Sequence, residues 1–427
     1  ILSAPSNRKP LHWPSILMVV LGLGGVLLML GVAAVGLLGG VFALFNPAAD
    51  STDAPQLFSY TVGGVFLCML LLPSIVLGIQ RLSGRDEEDL SPIWGRIFRA
   101  LHPKKLIWLY PFVILAGWWI NRFPAVNWLF MPVLNMFALS LPGVWLLWVG
   151  TRKFEHRSSQ RKWGALGLGL TIGPWTIFVL EILAMVMFLI LGITLMTNTV
   201  LGQDILNILQ DFGTTGSVSE QEIFELLQSP LVIGLLLAFI SGIVPIVEET
   251  IKPVAVWLLW GRDLTLQDGW ALGLLSGGGF ALLENFGNVA VGEGWTFVAL
   301  ARAGATALHM FNTGLIGYTF VLARKKKRIL PPFLALAAAI LVHAVWNAMT
   351  VFATVESLAQ PANTAVWSTR FIVLMVLVSL SLMAGIFLIN RKLSNLKSDN
   401  PATETAEPDA DQNSSPVNSS PEIKKTE

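Results

Sequence analysis

Cysteine and charge are both scarce in this sequence. Of the 427 residues, one is a cysteine (Cys68) and 13% are Asp, Glu, Lys or Arg. A single cysteine excludes a disulfide framework and a cysteine metal site within one chain. The formal net charge of +1 lacks the basic surplus typical of nucleic-acid-binding proteins, so no nucleic-acid partner is expected.

Apolar residues are abundant instead. They make up 54% of the chain, which includes 16 tryptophans, and this composition is typical of integral membrane proteins. Runs of about 20 apolar residues can cross a bilayer core of ~30 Å. Ten such runs occur, at approximately 15–45, 57–79, 105–121, 127–150, 164–196, 230–261, 269–290, 304–323, 330–354 and 368–390. We therefore expect an all-α, polytopic membrane helix bundle of about ten transmembrane helices. The first run is too long for a signal-peptide core and predicts a retained span, and Pro174 predicts a kink in the fifth.

The basic residues follow an alternating pattern that predicts orientation. Lys and Arg concentrate in the connections 80–104, 151–163 and 324–328, whereas 46–56 and 197–229 carry acidic residues instead. Because cytoplasmic connections are enriched in Lys and Arg, the basic connections and both termini are expected in the cytoplasm.

Two regions are expected outside the membrane. Residues 201–228 predict two short amphipathic helices on the outer surface, the second opened by a capping box from Ser219 to Glu222. Two interpretations of this segment stay open: an interfacial connector, or a lid over the outer mouth of the bundle. The tail at 393–427 is rich in Ser, Pro, Asn, Asp and Glu and is expected to be disordered and cytoplasmic.

Ionisable side chains deep in the spans are the main functional signal, because a charge at membrane depth is expensive. Counting from the cytoplasmic helix ends, Glu249 lies thirteen residues from Arg262, Glu284 sixteen from Asp268, His309 fifteen from Arg324 and His343 fourteen from Ile329. At ~1.5 Å per residue, each lies about 20–24 Å above the cytoplasmic edge. Four helices thus place a carboxylate or an imidazole in one layer. Glu181, deep in the fifth span, is interpreted as structural or of unknown role.

Helical spacing gives these residues a common direction. Lys252 is four residues after Glu248 and three after Glu249, so it shares a face with both. It can pair with one glutamate and leave the other carboxylate free. Asn347 likewise shares a face with His343. The shared depth and spacing predict one polar site inside the membrane, while 277-GGG-279 predicts close helix packing.

Four short motifs, each on its own apolar helix, carry a family resemblance. They are EETIK (248–252), FALLEN (280–285), HMFNTG (309–314) and HAVWN (343–347). Their order is similar to that of the PrsW family of intramembrane proteases, which is related to the type II CAAX prenyl endopeptidases and the bacteriocin-processing membrane proteases. The resemblance covers about residues 230–354. It implies catalytic roles for Glu248, Glu249, Lys252, Glu284, His309, His343 and Asn347.

The resemblance also implies a function and a division of the chain. It implies an intramembrane endopeptidase of the bacterial plasma membrane that cleaves a single-span membrane protein, with a membrane-anchored anti-sigma factor as the precedent. The expected regions are five helices at 1–196, an extracytoplasmic connector at 197–229, the catalytic core at 230–354, a last transmembrane helix at 355–392 and the tail at 393–427. No oligomeric state is indicated.

Two mechanisms stay open for such a site. In one, Glu249 or Glu248 activates a water, Lys252 keeps its neighbour charged, and His343 with Asn347 donates to the oxyanion. In the other, Glu284, His309 and His343 hold zinc and Glu249 is the base, although no H-E-x-x-H occurs. The metal-free route, with no cofactor, is favoured because Lys252 adds positive charge where a cation would sit.

Two non-enzymatic functions compete with the protease. The same buried groups could form a proton or ion relay in a transporter, or belong to a membrane scaffold. A transporter favours an inverted repeat, and none is evident in the sequence.

Overall fold

The computed structural model describes residues 12–46, 49–84, 102–152, 158–196, 229–259, 262–359 and 364–398, together with a few separate positions between 199 and 214. Within these ranges every regular element is a helix. The helices are α1 (Trp13–Phe45), α2 (Asp53–Leu82), α3 (Pro103–Leu106), α4 (Tyr110–Ile120), α5 (Pro124–Thr151), α6 (Ser159–Leu170), α7 (Ile172–Met196), α8 (Pro230–Leu237), α9 (Val244–Ile251), α10 (Val254–Leu258), α11 (Leu266–Gly287), α12 (Trp295–Lys326), α13 (Leu330–Ala359) and α14 (Thr364–Ser398). The predicted all-α fold is confirmed.

The lengths of these helices confirm a polytopic membrane protein. In the described part of the chain, seven helical stretches are long and apolar enough to cross a membrane: 13–45, 53–82, 124–151, 159–192, 230–258, 330–355 and 369–395. Helices α11 and α12, with 22 and 32 residues, are long but are not among the seven, and α4 has only 11 residues. The count of ten spans therefore stays a prediction.

The fifth predicted span is interrupted near Pro174, but not at the proline itself. Helix α6 ends at Leu170, Thr171 leaves helical geometry with φ −120° and ψ −92°, and α7 begins at Ile172. A proline ring clashes with the carbonyl four residues earlier, which here belongs to Leu170. The kink predicted at Pro174 therefore lies three residues upstream.

The sixth predicted span, 230–261, is not one continuous α-helix. After α8, residues Ala238–Ile243 form a π-helical turn, and α9 then ends next to Lys252 and Pro253. Pro253 opposes the carbonyl of Glu249, four residues earlier, so the regular helix stops there. A π-helical turn of this kind is frequent at functional sites. These breaks confine EETIK to a short segment between two irregular turns.

Helices α11 and α12 form a close pair that positions two of the motifs. Helix α11 begins with a capping box in which the Thr265 side chain accepts from the Asp268 N–H at 3.2 Å and the Asp268 carboxylate accepts from the Thr265 N–H at 2.8 Å. A Cβ atom at Gly277 would lie 2.5 Å from the carbonyl oxygen of His309. Only glycine permits this approach, which confirms the predicted packing role at this position.

Two predicted features fall largely outside the described residues. Most of the predicted amphipathic helix pair at 201–228, including the capping box from Ser219, lies outside the described residues. Only separate helical positions up to Thr214 are described. In the tail, α14 continues as helix to Ser398, six residues past the predicted boundary at 392. Residues 399–427 lie outside the described part.

The predicted orientation of the bundle can be tested by cysteine labelling. In a Cys68→Ala background, we expect Thr214→Cys, at an exposed position, to react with a membrane-impermeant maleimide on intact cells. Lys326→Cys, in the basic last turn of α12, should react only after permeabilisation. The reverse accessibility would overturn the predicted topology.

Candidate active site

Lys252 is the centre of the polar site. Its Nζ lies 2.6 Å from Oε2 of Glu248, 2.8 Å from Oε1 of Glu249 and 2.7 Å from Nδ1 of His309. The contacts with Glu249 and His309 are hydrogen bonds, and the contact with Glu248 is an ion pair. The same Nζ lies 4.6 Å from the centre of the Phe280 ring, within cation–π range. Lys252 is 1% exposed, so its charge is balanced by side chains instead of water.

The second histidine extends this network from α13. His343 Nδ1 lies 2.8 Å from Oε1 of Glu249, and its Nε2 lies 3.9 Å from Oε2 of Glu248. The first contact is a hydrogen bond, whereas the second is too long for one. Glu249 is fully buried, with its Oε2 lacking a hydrogen-bond partner. His343 is therefore bonded to Glu249 and lies near Glu248 without bonding it directly.

The other histidine connects Lys252 to the second acidic motif. Since His309 Nδ1 accepts from Lys252, its Nε2 carries the hydrogen. This nitrogen lies 2.8 Å from Oε2 of Glu284, at ion-pair distance. Arg302, also on α12, holds the same Glu284 oxygen at 2.8 Å and donates from Nε to Oδ1 of Asn285 at 2.8 Å. Glu284 is therefore fixed from two sides.

Six of the predicted site residues thus form one connected set, and the seventh lies apart. The connected residues are Glu248, Glu249, Lys252, Glu284, His309 and His343. Asn347 instead donates from Nδ2 to the carbonyl of Ile240 at 2.9 Å. That bond ties α13 to the π-helical turn and so positions the segment that carries EETIK. The catalytic role of each residue stays a prediction.

A cavity of about 500 Å³ opens beside this set. It lies between α1, α2, α7 and α11, and Glu248 and Glu284 both line it, whereas Glu249 does not. Most of its wall is apolar or aromatic, including Trp175 and Phe178 of α7. The cavity gives Glu248 contact with a space large enough for a substrate segment.

Two charged residues near the site were not assigned to it from sequence. Glu181 lines the same cavity, and its buried Oε1 has no hydrogen-bond partner; it has no polar neighbour at helical spacing that would have assigned it. Arg302 is likewise not among the residues that the sequence assigns to the site. Arg302 lies seven residues before His309, which is two turns away on the same helix face. This spacing is the sequence signal that could have placed Arg302 at the site.

Three side chains of the site could act as metal ligands. Within the described residues, Glu248, His309 and His343 form the one group of three whose ligand atoms all lie within 4.8 Å of one another. This group contains Glu248, whereas the zinc mechanism predicted from the sequence uses Glu284 as the carboxylate ligand. Two imidazoles and a carboxylate suit zinc in kind and number. However, both ring nitrogens of His309 already have partners, and Lys252 also bonds Glu248, so the donors are not available without displacing Lys252.

A comparison with known protein families assigns this polytopic helical membrane protein to a class. The family model described as PrsW family intramembrane metalloprotease matches residues 173–383. The chain belongs to this family and is an intramembrane protease. Neither a curated protein nor a solved structure matches the chain. The matched range begins in α7 and therefore includes Glu181.

Arg302 gives a prediction specific to this geometry. We expect Arg302→Gln to lower cleavage about 10–100-fold, the range known for the outer partners of metal-binding side chains, because Glu284 then loses its second anchor. Arg302→Lys should recover part of the activity, since it keeps the charge. Once Glu284→Gln is present, adding Arg302→Gln should have little further effect. A full additional loss in that double variant would show that Arg302 acts independently of Glu284, and Arg122→Gln, at an exposed position, serves as the control.

Proposed function

We propose that this intramembrane protease cleaves a membrane-anchored protein substrate, of the regulatory, anti-sigma-factor-like class, with a water activated by Glu248. The observation that carries the proposal is the Lys252-centred set of contacts beside the cavity. Of the two adjacent glutamates, Glu248 lines that cavity and Glu249 does not. Glu248 is therefore the carboxylate that a substrate and a water can both reach.

The gap between Glu248 and His343 supports a position for that water. Oε2 of Glu248 and Nε2 of His343 are 3.9 Å apart, too far for a direct hydrogen bond but suited to one bridging water. His343 Nδ1 donates to Glu249, so its Nε2 is free to accept from the water. The two acceptors would orient the water's lone pair toward a carbonyl in the cavity.

The proposed reaction is a hydrolysis in two proton transfers. Glu248 takes a proton as the water oxygen bonds to the substrate carbonyl carbon, giving a tetrahedral oxyanion. The C–N bond then breaks, and the Glu248 carboxylic acid returns the proton to the leaving nitrogen. The products are a carboxylic acid and an amine, and no co-reactant besides water is needed.

Lys252 supplies the electrostatic part of this mechanism. Lys252 does not line the cavity itself, but its ammonium group lies 2.6 Å from the Glu248 carboxylate that does. When Glu248 is protonated, it no longer neutralises that positive charge, which then stabilises the developing oxyanion electrostatically. Glu249 and His309, both in contact with Lys252, hold the ammonium in place during this exchange. We assign Glu249, Glu284 and Arg302 to positioning instead of direct proton transfer.

The cavity supports a lateral route for the substrate. Phe178 of α7, which lines it, is 54% exposed, so this wall faces the surroundings of the bundle, which are lipid at that depth. A single-span substrate could enter from the bilayer and bring a peptide bond next to Glu248.

The test is cleavage by the purified protein in liposomes. A panel of single-span substrates with fluorescent tags at both ends is co-reconstituted, and product ends are identified by mass spectrometry. We expect one cut within or next to the span of at least one substrate. No cleavage across the panel, with the protein folded and correctly inserted, would favour the scaffold or transporter function instead.

A further inference from the structure

A second cavity lies away from the active site. It has a volume of about 590 Å³ and is formed where the ends of α1, α2, α6 and α10 meet. We propose that it binds an anionic phospholipid, with the lipid phosphate held by arginines at its rim and the acyl chains along its apolar wall. This function is separate from peptide cleavage, and none of the six connected active-site residues lines the cavity.

Charge is the first observation that identifies the occupant. Arg81 in the last turn of α2, Arg161 near the start of α6 and Arg262 just after α10 all line the cavity. No Asp or Glu is among the lining residues that the structure describes. Guanidinium groups bind phosphate oxygens in a bidentate manner. Three arginines from three chain segments line one cavity and therefore match a phosphate group.

The apolar wall distinguishes a lipid from a soluble phosphate. Besides the arginines, the lining includes Leu17, Met18, Leu168 and Leu258, a surface that a free anion would not need. Trp13, on the same cavity, is 69% exposed, as expected of a tryptophan at the level of lipid headgroups. Basic pockets between transmembrane helices on the cytoplasmic side are known to bind anionic headgroups.

The position of the cavity connects it to the segment that carries EETIK. Its lining includes Ala255, Leu258 and Leu259, which follow Lys252 by three to seven residues. A bound lipid would therefore contact the short helix α10 immediately after the break at Pro253.

Native mass spectrometry of the purified full chain in detergent tests the proposal. Wild-type protein is titrated with phosphatidylglycerol, phosphatidylcholine or inorganic phosphate. The site variant is Arg161→Gln with Arg262→Gln; the matched control is Lys326→Gln with Arg328→Gln, which removes two charges from the end of α12, outside this cavity. We expect wild type and control to retain phosphatidylglycerol over phosphatidylcholine and the site variant to bind it about tenfold or more weakly, as the loss of two basic contacts implies.

Two further measurements distinguish lipid binding from phosphate binding and from misfolding of the variant. Inorganic phosphate should not raise the thermal stability of the protein at concentrations where phosphatidylglycerol does. If the glutamine variant fails to fold, Arg161→Lys with Arg262→Lys retains the charge but loses bidentate geometry, and weaker binding than wild type is expected. Equal phosphatidylglycerol binding by wild type and the site variants, equal binding of both lipids, or equal stabilisation by phosphate alone would overturn the proposal.

Discussion

Glu248→Gln should reduce cleavage about 10²–10⁴-fold, the usual contribution of a general base, with the protein still folded. Glutamine keeps the size of the side chain and can still bond Lys252, but it cannot take a proton from water. Glu248 is only 6% exposed yet lines the substrate-sized cavity, so bulk water has little access to take over its role. The measurement is the initial rate on a single-span substrate in liposomes, with folding checked by thermal unfolding.

Two matched substitutions make this result specific. Glu293→Gln, at an exposed position, should leave the rate unchanged. Glu249→Gln should also lower the rate, because Lys252 and His343 lose a shared anchor, but less than Glu248→Gln. If Glu249→Gln is inactive and Glu248→Gln retains most of the activity, Glu249 is the general base and Glu248 is the positioning residue.

Lys252→Met should destabilise the protein by about 3–5 kcal/mol, the typical effect of removing one partner from a buried ion pair. The substitution leaves Glu248 and Glu249 buried at 6% and 0% exposure without their cation. The triple variant Glu248→Gln, Glu249→Gln, Lys252→Met removes the charges together and should recover most of the stability, although it stays inactive. The free energy of unfolding in mixed detergent micelles, with helicity as the readout, measures both effects.

The triple variant separates electrostatics from packing. If it is as unstable as Lys252→Met alone, the loss comes from the missing lysine side chain and its contact with Phe280 instead of from unpaired carboxylates. In that case the charge balance proposed for the site would be wrong.

The common depth of the ionisable residues inside the membrane could be predicted, because depth depends only on the rise per residue of a helix. Glu249, Glu284, His309 and His343 were placed at one level by counting residues, and the structure connects them through Lys252. Helical spacing likewise placed Lys252 beside both glutamates. These features are local to one helix or follow from the shared bilayer thickness, so sequence suffices for them.

Features that depend on how helices rotate against each other could not be predicted. Spacing does not say which of two adjacent glutamates faces a cavity, nor that Glu248 instead of Glu284 lies with both histidines. Glu181 reaches the cavity only through the packing of α7, which no motif encodes. Pro253 could in principle have predicted the interruption after α9. The high hydropathy of residues 230–261 instead predicted one continuous span.

The measurement that tests the central claim most directly is cleavage by purified protein with and without a metal chelator, combined with metal analysis of the same preparation. The claim is that Glu248 activates water beside Lys252 and that both nitrogens of His309 are already engaged. We therefore expect undiminished cleavage after chelation and far less than one zinc per chain. Zinc at one equivalent, with cleavage abolished by chelation and restored by zinc, would contradict the claim and assign Glu248, His309 and His343 to a metal centre.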